Sequence, residues 1–101
     1  MNIVNAISKA RFGSARTQRI QLHKAQNLAA ELLCLEPGQK VASSGQRAYY
    51  VVTGKAGMSA AGQSAELPTG QLAITEPGER HTIANEGEGR LVVLAIEPAD
   101  K

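Results

Sequence analysis

Gly70-Gln71-Leu72-Ala73-Ile74-Thr75-Glu76-Pro77-Gly78-Glu79-Arg80-His81-Thr82-Ile83-Ala84-Asn85 is the stretch that decides the fold. A short apolar segment, residues 71–75, stops at Pro77-Gly78, a pair suited to a turn. The next segment, residues 81–84, opens on His81, one of only two histidines. Alternate side chains of a strand share a face, so a histidine at the start of a strand can be aimed into a barrel. Asn85 then opens the turn through Glu86 and Gly87, a position suited to asparagine.

The same punctuation runs through the chain. Ile20 and Leu22 alternate with polar residues from Thr17 onward, and the mostly apolar residues 28–36 end at Pro37-Gly38. The β-forming residues 48–53 are followed by a break at residues 54–57, and a short segment around Met58 leads to a hairpin turn at Ala61-Gly62-Gln63. Residues 64–67 and 90–97 supply two further strands. Short strands at roughly ten-residue intervals, each bounded by Gly or Pro, define an all-β sandwich or barrel. No helical period interrupts residues 17–97, which argues against a parallel βαβ sheet. Residues 1–16 read as an N-terminal arm or short helix, with Ile3, Val4, Ile7 and Ala10 at helical spacing and Gly13-Ser14 as the stop. Residues 17–101 form the barrel domain.

The chain has 101 residues, enough for one domain with one modest core. Phe12, Tyr49 and Tyr50 are the only aromatics, so the core must be aliphatic. A small aliphatic core is often supplemented by association, and the unbroken apolar run Leu91–Ile96 calls for cover on both faces; a homodimer satisfies both. Cys34, the single cysteine, excludes an intramolecular disulfide and sits within an apolar run, where a thiol behaves as a small hydrophobe. No segment approaches the roughly 20 apolar residues of a membrane span, and no basic segment followed by an apolar one opens the chain, so the expected setting is the cytoplasm, without membrane contact.

The net charge of +2 is too small to imply nucleic acid, but it is unevenly spread. Residues 1–30 carry Lys9, Arg11, Arg16, Arg19 and Lys24 and no acid, while the rest holds six bases and nine acids. A solvated edge, an arm for an acidic partner, a mitochondrial-type presequence and nucleic-acid contact all fit such a run, although the last lacks interleaved aromatics.

The opening stretch resembles the second motif of the cupin superfamily, the small double-stranded β-helix or jelly-roll barrels. That motif is a glycine, five residues, Pro-x-Gly, two residues, a histidine, three residues and an asparagine. Gly70, Gly78, His81 and Asn85 stand in register, and the one departure is Glu76 in place of the first proline. The resemblance spans about residues 28–97 and implies a cupin jelly roll. The family's first motif carries two histidines and a glutamate between flanking glycines. Gly38 and Gly54 flank the corresponding segment here. Ser44 and Gln46 stand where the histidines belong and Arg47 where the glutamate belongs, in a loop that is a few residues shorter.

Cupin sites usually hold a divalent first-row metal on three imidazoles and a carboxylate. Serine and glutamine are weak ligands, and arginine is a permanent cation without a lone pair to give. No cofactor is therefore expected, or at most a weakly bound divalent transition metal at His81. The resemblance instead places a ligand pocket at His81, Gln46, Ser44, Arg47 and Tyr49, for a small anionic or polar molecule. Arg47 suits a carboxylate or phosphate. Tyr49 shares the phase of Arg47 and with Met58 can wall an apolar cavity. His23 lies outside both motifs. Two function classes remain open: a binding or structural module, and a cupin-type enzyme (dioxygenase, isomerase or decarboxylase) with a weak metal site or with metal-free acid/base chemistry at His81.

Overall fold

A computed structural model describes residues 1–99. The last two residues of the expected barrel domain lie outside the described part. Nine strands follow a single 3-10 turn at Ile7–Lys9: β1 Gln18–Lys24, β2 Leu28–Leu35, β3 Lys40–Ser44, β4 Ala48–Thr53, β5 Lys55–Ala60, β6 Gln63–Pro68, β7 Leu72–Ile74, β8 Arg80–Asn85 and β9 Leu91–Pro98. They form two antiparallel sheets, a first of order β1-β2-β9-β4-β7 and a second of order β3-β8-β5-β6. The all-β jelly roll, or double-stranded β-helix, read from the sequence is the fold observed. No helix among the described residues is long and apolar enough to cross a membrane.

The core lies between the sheets. Leu33 and Leu35 on β2, Tyr49 and Val51 on β4, and Leu91, Val93 and Ala95 on β9 meet Ala56, Leu67 and Ile83 of the second sheet. Strand alternation produces this arrangement, because those residues occupy one phase of each strand. The opposite phase of the first sheet is apolar as well. Leu32, Cys34 and Val92 form a second buried cluster covered by Ala6, Ala10 and Phe12 of the arm, together with Ile20, Leu22 and Val52. The arm is thus docked on its own barrel. Gln39 donates from Nε2 to the Gly13 carbonyl at 2.7 Å, and the Arg90 guanidinium stands 4.6 Å over the Phe12 ring. The cover over Val92 comes from within the chain, where the apolar run alone pointed to a dimer.

Two segments differ from the sequence reading. Lys40–Ser44 pairs with β8 throughout, although its lysine, alanine and serines have little intrinsic preference for strands. Residues 55–57 belong to β5, and the break between β4 and β5 is confined to Gly54. At Gly54 φ is +101°, and a Cβ would stand 2.7 Å from the Arg90 carbonyl oxygen, so only glycine fits.

Candidate functional site

His81 enters the barrel as the second residue of β8, opposite Ser43 on β3 and Ala60 on β5. It is 4% exposed. Its Nδ1 lies 3.0 Å from the Glu79 carbonyl oxygen, and its Nε2 lies 2.7 Å from the Tyr49 hydroxyl. A carbonyl only accepts, so Nδ1 carries the proton, and in the neutral ring Nε2 accepts from the Tyr49 O–H. The two rings meet edge to face with centroids 5.4 Å apart. Burial pushes the Tyr49 phenol above its ordinary range, opposed chiefly by the nearby Arg47 charge and a hydrogen bond from Ser43.

Beyond the phenol lie four charges on the inward phase of the first sheet. Arg19 on β1 grips Glu31 on β2 with two bonds, at 2.7 and 3.2 Å. Arg47, just ahead of β4, pairs with Glu97 on β9. The register brings them together: Ala48 faces Ile96, so the preceding Arg47 falls opposite Glu97. The quartet is electrically balanced, and each guanidinium already has its carboxylate. Arg47 Nε is buried and has no hydrogen-bond partner among the described residues. The loop carrying Arg47 is fixed by Thr75, whose hydroxyl donates to the Gly45 carbonyl at 2.7 Å and accepts from the Arg47 amide at 2.9 Å. His81 borders a wide, open depression of about 720 Å³ with Ser43, Ser44, Ser59, Ala60 and Arg80, and a separate mouth of about 220 Å³ opens between β6 and β7. Ala73 and Ala60, the cross-strand partners of Tyr49 and His81, help to line it with Met58, Leu67, Thr75 and Glu79.

The five residues expected at the pocket are therefore distributed unevenly. His81 and Tyr49 are in contact, and Arg47 acts on Tyr49 from the same interior face. Ser44 falls in the outward phase of β3, exposed and opposite Arg80, yet borders the same open depression as His81; the inward hydroxyl facing His81 is its neighbour Ser43. Gln46 is exposed and lines a trough with Leu28, Ala48, Ile74 and Ile96 that Arg47 and Glu97 also border. The shortened loop explains both shifts, because removing residues between β3 and β4 changes which side chains reach inward. Ser43, Arg19, Glu31 and Glu97 were not anticipated. Strand phase could have identified Ser43 had Lys40–Ser44 been recognised as a strand.

A three-imidazole metal centre does not fit these residues. His81 is the one buried imidazole among the described residues, its Nε2 lone pair is bonded to Tyr49, and the position of the expected carboxylate ligand holds a cation. Among the described residues, no three His, Cys, Asp or Glu side chains converge in a way that could hold a metal ion.

Two antiparallel sheets closed over a Tyr–His pair, with the histidine delivered by a Pro-Gly turn at the head of β8, define a small jelly-roll barrel of the double-stranded β-helix class. The chain belongs to the Cupin domain family, whose pattern matches residues 31–97. Solved structures share the fold over nearly the whole chain. A Thermus thermophilus protein is 21% identical with a TM-score of 0.90, covering 97% of this chain and 98% of its own. A Klebsiella pneumoniae protein with a double-stranded β-helix domain is 21% identical with a TM-score of 0.84, covering 100% and 99%. A cupin superfamily protein from Desulfitobacterium hafniense is 20% identical with a TM-score of 0.81, covering 99% and 92%. None of the curated proteins matches the sequence.

Proposed function

We propose that the chain is a metal-free binding barrel for a small, uncharged polar molecule that enters between β6 and β7, behind Ala60 and Ala73, the cross-strand partners of His81 and Tyr49. The observation that carries this reading is the 2.7 Å contact between the Tyr49 hydroxyl and His81 Nε2, which occupies the lone pair a metal would need. Arg19 and Arg47 already hold carboxylates, so an anion would have to displace Glu31 or Glu97; this favours the polar over the anionic ligand. The mouth has room for about seven waters at roughly 30 Å³ each, which limits the ligand to a small molecule. Its alanine and Met58 walls take an apolar end, and Gln63, Ser64 and Thr75 supply polar groups beside them. A cytoplasmic setting, where a lone thiol such as Cys34 is ordinary, belongs to the same proposal.

The test joins elemental analysis of the purified protein to a fragment screen read by amide chemical shifts. The expected outcome is no stoichiometric transition metal and saturable shifts at Ala60, Ala73 and His81 that are lost in Tyr49→Phe. A metal bound in proportion to protein and released by His81→Ala would falsify the reading, as would fragments that shift only surface amides.

The same contact supports a second reading, in which Tyr49 and His81 relay a proton as a metal-free acid/base pair. Solvent-deuterium exchange into a bound carbonyl compound, present in the wild type and absent in His81→Ala, is its signature. Binding without exchange leaves the module reading in place.

A further inference from the structure

We infer that the outer face of the second sheet carries a site for a phosphate group, the head of a small polar phosphate monoester, held by Arg80 and the hydroxyls around it. The site is the wide depression of about 720 Å³ that borders His81. Strand register builds its floor. Ala42, Thr82, Ser59 and Ser64 face one another across β3, β8, β5 and β6, all on the outward phase. Two residues nearer the head of β8, Ser44 stands opposite Arg80. Cross-strand partners stand about 5 Å apart at Cβ and diagonal neighbours about 7 Å. The guanidinium is therefore surrounded by hydroxyls from three strands: Ser44 on β3, Thr82 on β8 and Ser59 on β5.

These donors are unspent. Arg19, Arg47, Lys55 and Arg90 each hold a carboxylate, whereas Arg80 enters no ion pair among the described residues. The hydroxyls of Thr69 and Thr75 donate to backbone carbonyls, whereas those of Ser44, Ser59, Ser64 and Thr82 make no hydrogen bond among the described residues. No acid lines the depression. Glu79, the residue before Arg80, turns its carboxylate back onto the Glu76 amide and borders the mouth between β6 and β7 instead. The acids of this face, Glu66 and Glu86, border an adjoining hollow of about 180 Å³. Glu66 lies opposite Gly57, and Gly57 opposite Ala84, four residues along β8 from Arg80 and so about 13 Å away along the strand. An anion is thus drawn to the Arg80 end and kept from the other.

The donor set favours phosphate. A guanidinium alone satisfies the two oxygens of a carboxylate, whereas a phosphate brings further strong acceptors that hydroxyls on three strands can reach. The depression has room for about 24 waters at roughly 30 Å³ each, which leaves space for an organic remainder. That remainder is polar and small. No aromatic side chain lines the depression, so a nucleotide base has nothing to stack on, and the exposed large hydrophobic side chains all lie elsewhere. His81 itself points into the barrel, so the inference does not depend on what the barrel binds.

Amide chemical shifts, followed while sodium phosphate is added at constant ionic strength, test it. Ser44, Ser59, Arg80 and Thr82 should move saturably, and Leu67 and Ala73 at the separate mouth should not. Glycerol phosphate should bind at least as tightly as the free ion, and acetate more weakly. Arg80→Gln should weaken phosphate binding at least about tenfold, Arg80→Lys should recover only part of the loss, and Thr82→Val should weaken it about two- to tenfold. Arg80 is exposed, so its replacement leaves the core intact. Lys40→Gln, on the same face but outside the depression, should change nothing. Shifts that match those of added chloride, that persist in Arg80→Gln, or that weaken equally in Lys40→Gln overturn the site. Acetate binding as tightly as phosphate, or rejection of glycerol phosphate, overturns the ligand assignment.

Discussion

Tyr49 joins the three parts of the interior: its ring packs in the core, its hydroxyl holds His81, and its phenol oxygen feels Arg47 and Ser43. Tyr49→Phe keeps the packing and removes the donor to His81 Nε2, leaving a buried acceptor without a partner. We expect a loss of about 1–3 kcal/mol in unfolding free energy by urea titration, with the slope of the transition unchanged. A loss no larger than that of an exposed control such as Tyr50→Phe would mean that water replaces the phenol. The sequence made part of this site legible. Alternation alone places Arg47 and Tyr49 on one inward phase and Tyr50 outward, and the second motif aims His81 inward. The quartet was not legible, because Arg19, Glu31, Arg47 and Glu97 meet only through the register of β1 on β2 and of β9 on β4, which strand phase does not supply.

At the scale of elements, turns carry more of the stability than their exposure implies. Asn85 closes β8 with its side chain 3% exposed, donating from Nδ2 to the carbonyls of Leu35 at 2.9 Å and Gly89 at 2.8 Å and accepting from the Gly87 amide at 2.9 Å. Asn85→Ala strands the buried Leu35 carbonyl and removes the bonds to Gly89 and Gly87, and should cost about 1–3 kcal/mol by chemical denaturation. Aspartate, which can accept from Gly87 but cannot donate, should recover little. The β5–β6 hairpin has the opposite defect. Its two-residue turn is Ala61-Gly62, both left-handed, with φ of 52° and 77°. Such turns favour asparagine at the first position, where a Cβ-bearing alanine costs about 1–2 kcal/mol. Ala61→Asn should therefore raise the unfolding free energy by about 0.5–1 kcal/mol; a decrease would show that the hairpin tip makes contacts unrelated to its backbone. The hairpin is legible because Ala61-Gly62-Gln63 carries turn chemistry of its own. β3 is not, because its strand state is imposed by pairing with β8 and not by its residues.

The response of the whole molecule to alkali combines two sites on opposite faces of the first sheet. Tyr49 lies on the inner face, and its phenol is raised above the ordinary value of 10.0 by burial. Cys34 lies on the outer face beneath the arm, and its thiol is raised above 9.0, again mainly by burial, with the Arg11 amide and charge opposing. In each case the unfolded chain gives up its proton at a lower pH than the folded one. Above the unfolded value the native state holds the extra proton, and stability falls as pH rises. Their contribution is complete below about pH 9 and is lost in two stages, the thiol first and the phenol about one unit later. Urea titrations from pH 7 to 11 should show this decline. Cys34→Ala should remove the early stage, Tyr49→Phe the later one, and the double variant should lose both components. The arm adds a further consequence. Because Ala10 and Phe12 help to cover Cys34, removing residues 1–13 should expose the thiol, return it toward its ordinary range and flatten the early stage while leaving the Tyr49 stage in place. An early stage that persists after this truncation would show that Ile20, Leu22 and Val52 bury Cys34 without the arm, and that the docked arm covers the sheet without controlling its thiol.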